Sequence, residues 1–227
     1  MNRLSALIVC LSLLLAGTAY AQSAKWISAN HPDADKIGTW IEFRKELVLK
    51  EKPAKAEARI SADSKYWLWI NGELAVFEGN LKRGPNPTDS YYDIVDLAPY
   101  LKKGGNDIKV LLCYFGKGGM SHYDTGKSAL ILDAPQIGLY TDSSWASRRL
   151  SAYGISEDKE PNYRLPESII KYDARLADCD AWMPSAELGS WGDAPWNKLH
   201  RRPIPMWKDY GVKNLEFNTS EDGNGNI

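Results

Sequence analysis

Ala58-Arg59-Ile60-Ser61-Ala62-Asp63-Ser64-Lys65-Tyr66-Trp67-Leu68-Trp69-Ile70-Asn71-Gly72-Glu73-Leu74-Ala75-Val76-Phe77 reads as three strands joined by two tight turns. Ala58, Ile60 and Ala62 alternate with Arg59 and Ser61, the period of a half-buried strand. Asp63-Ser64 interrupts that run with side chains that hydrogen-bond their own backbone. In the next strand Tyr66, Leu68 and Ile70 share one face and Trp67 and Trp69 the other, and Asn71-Gly72 supplies the two positive-φ positions of a type I′ hairpin turn. A strand loaded with large apolar groups on both faces is central in a two-layer sandwich, or commits its aromatic face to a ligand or a neighbouring domain.

The flanking sequence repeats the theme. Ile41, Phe43, Leu47 and Leu49 form an earlier strand that ends near Glu51-Lys52-Pro53, and Tyr91 to Val95 form a later one. Asp96 caps a short helical turn running to Lys103, Gly104-Gly105 ends it, and Ile108, Val110 and Leu112 open another strand. Ala129 to Leu132 and Ile137 to Tyr140 close the set, giving about eight short strands and no long helix. The expected fold is all-β, an antiparallel β-sandwich or jelly roll over residues 22–145. Two polar, glycine-bearing segments, 78–89 and 116–119, read as long loops, the kind that carries function on a rigid β scaffold.

Beyond Thr141 the character changes. Six prolines, Pro161, Pro166, Pro184, Pro195, Pro203 and Pro205, interrupt the chain, and Trp182, Trp191, Trp196 and Trp207 punctuate it. Residues 146–227 therefore read as an irregular Pro/Trp-rich extension that wraps back onto the sandwich and leads towards a further region, with the tryptophans as packing anchors. The polar, glycine-rich 218–227 reads as a linker or an interrupted end.

The 227 residues are 44% hydrophobic and 25% charged, the balance of a globular chain. Lys and Arg total 28 against 29 Asp and Glu, a net charge of -1, which disfavours a polyanion partner such as nucleic acid. The first 21 residues have the three parts of a secretory signal: Arg3, the apolar run Leu4 to Ala16, and the small-x-small site Ala19-Tyr20-Ala21. That run falls short of the about 20 residues of a membrane span, so the expected location is secreted or periplasmic. In such a compartment Cys113 and Cys179 either pair or, for Cys113 inside Val110 to Phe115, fill a core site.

Hydrolytic and metal motifs are absent: His31, His122 and His200 lack ligand spacing, HExxH and GxSxG are missing, and no acidic pair stands out among 29. The order of the elements nevertheless resembles the N-terminal, non-catalytic region of bacterial α-L-rhamnosidases of glycoside hydrolase family 78. The matching pieces include Lys25-Trp26-Ile27, Phe43-Arg44-Lys45, Arg59 to Gly72, Tyr92-Asp93 with Asp96-Leu97, Thr141 to Trp145, Tyr172 to Arg175 and Arg201 to Pro205. The resemblance implies a galactose-binding-like β-sandwich, followed in complete family members by further β-domains and an (α/α)6 barrel whose carboxylates invert the anomeric centre. The chain stops before that barrel, so none of the family's catalytic acids has a counterpart in it.

The function expected on this basis is that of an accessory carbohydrate-recognition or scaffolding domain acting on rhamnose-containing glycans beside a downstream catalytic domain. Sugar sites combine aromatic rings for the apolar pyranose face with fixed polar groups for its hydroxyls. Trp67, Trp69, Arg83, Asn86, Asp89 and Asp93 offer both. The resemblance also implies a calcium ion as a candidate cofactor, since some accessory domains of such enzymes hold rhamnose through one; Asn86, Asp89 and Asp93 would be its oxygen ligands. Against these stand bland readings: burial of Trp67 and Trp69 under a second layer, pairing of Arg83 with an acidic neighbour, and a strand-end role for Asp93. A domain that only braces the barrel is the second function considered, and an autonomous glycosidase the third.

Overall fold

The computed structural model describes residues 24–80, 85–119, 122–156 and 170–214. The signal segment 1–21, Arg83 and the 218–227 end lie outside them. In chain order the strands are β1 (Lys25–Ser28), β2 (Thr39–Leu49), β3 (Glu57–Asp63), β4 (Lys65–Ile70), β5 (Glu73–Gly79), β6 (Ser90–Asp96), β7 (Gly104–Tyr114) and β8 (Ala129–Ala134). They continue with β9 (Leu139–Tyr140), β10 (Ala146–Arg149), β11 (Tyr153–Ile155), β12 (Ile170–Tyr172), β13 (Met183–Pro184), β14 (Ala186–Ser190) and β15 (Leu199–Arg201). No helix among the described residues is long and apolar enough to cross a membrane.

Two sheets face each other. One has the order β14-β1-β8-β3-β6-β15 with β9 beside β8; the other has β13-β10-β2-β7-β4-β5. Among the described residues every pairing is antiparallel except β6 with β15, which run parallel. Period-2 alternation decides what lies between the sheets. Ile27, Ala58, Ile60, Leu130 and Leu132 from the first meet Ile41, Phe43, Tyr66, Leu68, Ile70, Ile108, Val110 and Leu112 from the second, all at most 1% exposed.

The organising hairpin folds as its sequence dictates. Asn71 (φ 53°) and Gly72 (φ 85°) form the turn between β4 and β5, and the Asn71 side chain locks it, donating to Tyr100 O at 2.9 Å and accepting from Asp107 N at 3.2 Å. Gly79 is needed for a different reason: a Cβ there would lie 2.2 Å from the Tyr66 ring. Gly104 and Gly105, expected to end a helical turn, instead open β7. The helical turn is only Ala98–Tyr100, and Asn106 takes over the polar groups of the corner by accepting from Lys102 N at 2.9 Å.

The extension is built into both sheets through short strands set in irregular chain. β10 lies inside the second sheet, while β14 and β15 edge the first. Trp145 is fully buried in the central core. On the outer face of the first sheet Trp196, 1% exposed, stacks on Trp26 with centroids 4.2 Å apart and packs with Ala129, Ile131 and Leu199. Trp191 meets Tyr92 edge-on and carries the Arg59 guanidinium 4.7 Å above its ring. Trp207 is 61% and Trp182 36% exposed, so of the four tryptophans only Trp191 and Trp196 act as packing anchors. Cys113 is buried beside Trp40, Phe115 and Leu150 whereas Cys179 is exposed, each a thiol.

Candidate functional site on the outer face of the second sheet

Strand register alone assembles the site. On β4 the core-facing Tyr66, Leu68 and Ile70 are fully buried, which turns Trp67 and Trp69 outward, each only partly covered. Trp67 stands opposite Leu111 of β7, and Trp69 opposite Lys109. Leu111 is in turn opposite Glu42 of β2, and Glu42 opposite Arg148 of β10. The outer face thus carries a row Arg148-Glu42-Leu111-Trp67, with Lys109 and Trp69 in the next row, about 7 Å further along the strands, and Asp107 one row beyond.

The β11–β12 hairpin rises over one end of this face. Tyr153 stacks on Trp40 at 4.4 Å, Trp40 on Trp67 at 5.6 Å, and Tyr172 packs on Tyr153 at 4.9 Å. Between hairpin and sheet lies an open groove of about 390 Å³, faced by Trp69, Tyr153, Tyr172, Leu111 and Leu150 and by the polar Glu42, Asp107, Lys109 and Arg148. That volume is at the lower end for small-molecule sites, and the mix of aromatic surface with a few fixed polar groups is the usual one.

The charged groups are held rather than free to swing. Arg148 donates to Glu42 at 2.7 and 2.9 Å and lies 4.6 Å over the Trp182 ring. Asp107 accepts from Arg44 Nε at 2.7 Å, which holds the guanidinium above its ordinary pKa, and Lys109 stands 3.8 Å from the other oxygen. Burial, with Tyr172 adding to it, pushes the Tyr153 phenol up, so at neutral pH it is a protonated group able to donate and accept. Glu42 and Asp107 are offset by four residues of strand, about 13 Å, and each is held by a different arginine. Glycosidase carboxyl pairs sit about 5–9.5 Å apart.

The residues expected from sequence to share one site are divided between places. Trp67 and Trp69 are on the outer face of the second sheet, and Trp69 lines the groove. Asn86 and Asp89 are joined at 2.8 Å at one end of the sandwich, where Asp89 also meets His200 at 2.9 Å. The contacts with Asn86 and then His200 hold the Asp89 carboxyl below its ordinary range. Asn86 borders a second recess of about 340 Å³ between the two long loops, with Pro85, Pro87, Gly118, Gly119, His122 and Tyr123.

Asp93 points between the sheets. Its carboxylate accepts from Tyr66 Oη at 2.9 Å and from Asn80 N at 2.8 Å, and Arg202 Nε lies 2.6 Å from the other oxygen. Burial, then the Asp93 charge, raises the Tyr66 phenol well above its ordinary pKa. With one oxygen of Asp93 taken by Tyr66 and Asn80 and the other set against the Arg202 guanidinium, inside the core and away from the Asn86–Asp89 pair, Asn86, Asp89 and Asp93 do not fit a calcium cage. Among the described residues no group of three or more His, Cys, Asp or Glu side chains gathers around a common point. Sequence reasoning missed Glu42, Lys109, Arg148, Tyr153 and Tyr172. The outward parity of Glu42 and Lys109 on their strands was the available signal; nothing local placed Tyr153 and Tyr172 above them.

No protein-family model matches the chain, and no curated protein sequence does. Solved structures do. The chain is similar to the family 78 rhamnosidase of Bacillus sp. GL1, with 25% identity and a TM-score of 0.64, over 82% of this chain and 20% of that one. It is also similar to the α-L-rhamnosidase from Dictyoglumus thermophilum, with 22% identity and a TM-score of 0.52 over 81% of this chain and 22% of that one. The α-L-rhamnosidase from Aspergillus terreus gives 22% identity and a TM-score of 0.51 over 74% and 21%. At 22% identity these two speak for the fold alone. The chain spans about a fifth of the length of each.

Proposed function

We propose that this chain, which resembles a β-sandwich region of family 78 α-L-rhamnosidases, is the N-terminal, non-catalytic module of an exported rhamnosidase-like hydrolase. In this reading the groove on the outer face of the second sheet holds rhamnose-containing glycan for a catalytic domain elsewhere in the polypeptide, and residues 146–227 lead from the sandwich towards it. The observation that carries the reading is the groove itself, where Trp69 and the two tyrosines stand beside Glu42, Asp107, Lys109 and Arg148. Aromatic faces take the C–H side of a pyranose, and side chains already fixed by their neighbours take its hydroxyls without further ordering cost. The about 13 Å offset of the two carboxylates argues against hydrolysis in the groove.

The test is a calorimetric titration of the full chain with L-rhamnose and with a rhamnosyl oligosaccharide, with and without chelator. Saturable binding that is indifferent to chelator and weakened about tenfold by Trp69→Ala supports the reading. No heat at millimolar sugar rejects it. A second reading, a brace with no sugar site, draws on a different observation. Ile204, Trp207, Tyr210 and Val212 are 62%, 61%, 70% and 101% exposed within the irregular segment after β15, exposed apolar side chains of the kind that dock on another domain.

A further inference from the structure

A further recess, of about 240 Å³, lies at the end of β10 between residues 29–31 and 179–183. Strand alternation fixes which side chain of β10 reaches inward there. Ser147 faces the core, where its Oγ meets Ser28 O at 3.5 Å, and Arg149, two residues on and opposite the buried Ile41, shares that parity. Arg149 is half-buried, its Nε is sealed from solvent, and among the described residues no acceptor meets that atom. The acids nearby are already engaged: Asp180 accepts from Ser151 N at 2.8 Å and Oγ at 3.0 Å, and Asp33 pairs with Lys36 at 2.9 Å. The neighbouring Arg148 is committed to Glu42. The remaining donors of the recess are not spent. His31 accepts from Asp33 N through Nδ1 at 3.0 Å, which leaves Nε2 as the N–H of the neutral ring, and the exposed Asn30 amide makes no hydrogen bond among the described residues.

We infer that this recess binds a carboxylate, with the Arg149 guanidinium as its charged partner and His31 Nε2 and the Asn30 amide as its neutral donors. A buried ionised N–H without an acceptor costs stability, and a carboxylate relieves that cost through charge-assisted hydrogen bonds that a planar guanidinium makes in pairs. One free cation matches one negative charge. The Lys36 contact, and more weakly the charge of Arg149, hold the Asp33 carboxyl below its ordinary range, so an ionised acid stands close enough to repel the second charge of a phosphate. The recess is smaller than the about 300 Å³ at which drug-sized sites begin, so it takes one small acid or the charged group of a single sugar residue. The inference stands apart from the sugar reading of the groove, because Arg149 lies on the inward face of β10 and the groove on the outward one.

The experiment follows the Arg149 Nε–H signal, assigned by its loss in Arg149→Lys, in proton–nitrogen spectra of the full chain at low salt. Acetate, D-glucuronate, uncharged D-glucose and inorganic phosphate are titrated in turn. The expected result is a saturable downfield shift with the two carboxylates and none with D-glucose, with phosphate bound more weakly than either. Equal affinity for acetate and D-glucuronate supports the site with a free acid as its ligand, and tighter D-glucuronate supports it with an acid carried on a sugar. Calorimetry on His31→Ala, a change at an exposed loop position that leaves the fold intact, should show the carboxylates weakened about tenfold. No shift with either carboxylate, or an equal shift with D-glucose, overturns the inference. Tighter binding of phosphate overturns the carboxylate assignment, and binding that both Arg149→Gln and His31→Ala leave unchanged places the acid elsewhere and overturns the site.

Discussion

Replacing Arg202 with alanine removes one half of an ion pair that crosses 109 residues of sequence. The Arg202 side chain is 7% exposed and that of Asp93 is fully buried, with Nε and Oδ1 2.6 Å apart. Asp93 also receives Tyr66 Oη and Asn80 N, so in the variant the buried carboxylate keeps two neutral donors and loses the guanidinium charge beside it. Removing one member of a buried pair costs about 3–5 kcal/mol, mostly because the other charge stays behind uncompensated. For a chain of this size a urea dependence of about 2 kcal/mol per molar converts that cost into a midpoint about 1.5–2.5 M lower. Urea unfolding followed by tryptophan fluorescence reads the shift. Adding Asp93→Asn to Arg202→Ala should restore part of the loss, because the stranded charge is gone, and the cycle should return a coupling of about 0.5–3 kcal/mol. A shift within about 0.5 kcal/mol for Arg202→Ala and zero coupling would refute the claim that the segment after β15 is anchored through the core.

The same logic separates two tryptophans. Trp196→Ala, which empties the stack on Trp26, should cost about 3–5 kcal/mol, whereas Trp207→Ala at an exposed position should stay within about 0.5 kcal/mol; parallel thermal or urea melts make the comparison. Asp96 accepts from Ala56 N at 2.9 Å and Ala98 N at 3.1 Å, which holds its carboxyl below the ordinary value. A depressed folded-state pKa means that the stabilisation is complete above the unfolded value of about 3.9 and is lost as pH falls from there through the folded one. The stability gap between wild type and Asp96→Asn should therefore be constant from pH 7 to pH 5 and close below pH 4. A gap that persists at pH 3 would contradict the role given to these two hydrogen bonds.

The hairpin was legible because every cue in it is local. Asn71-Gly72 fixes the turn, and the parity of Tyr66, Leu68 and Ile70 against Trp67 and Trp69 fixes which face is core. The extension was legible only as a wrapping segment punctuated by tryptophans. β10 has four residues, and β15 has three and pairs parallel with β6, so neither carries a readable period; long-range contacts such as Arg202 with Asp93 specify them. The site follows the same division. Trp69 was found by alternation, because a strand declares its own faces. Arg148, Tyr153 and Tyr172 join it only after β10 docks beside β2 and the β11–β12 hairpin folds across the outer face. Asp93 reads from sequence as a hydroxyl-binding group because sequence alone does not reveal which side of β6 faces inward when Tyr91, Tyr92 and Asp93 are all able to pack.

If the outer face of the second sheet is the sugar platform, the indole N–H signals of the nine tryptophans report on it directly. In a proton–nitrogen spectrum of the chain titrated with L-rhamnose, the Trp69 signal, assigned by Trp69→Phe, should shift saturably, while those of Trp26 and Trp196, sealed on the opposite sheet, stay in place. Shifts confined to Asn86 and its neighbours at the loop end, or no shift at any tryptophan while sugar binds, would contradict the account.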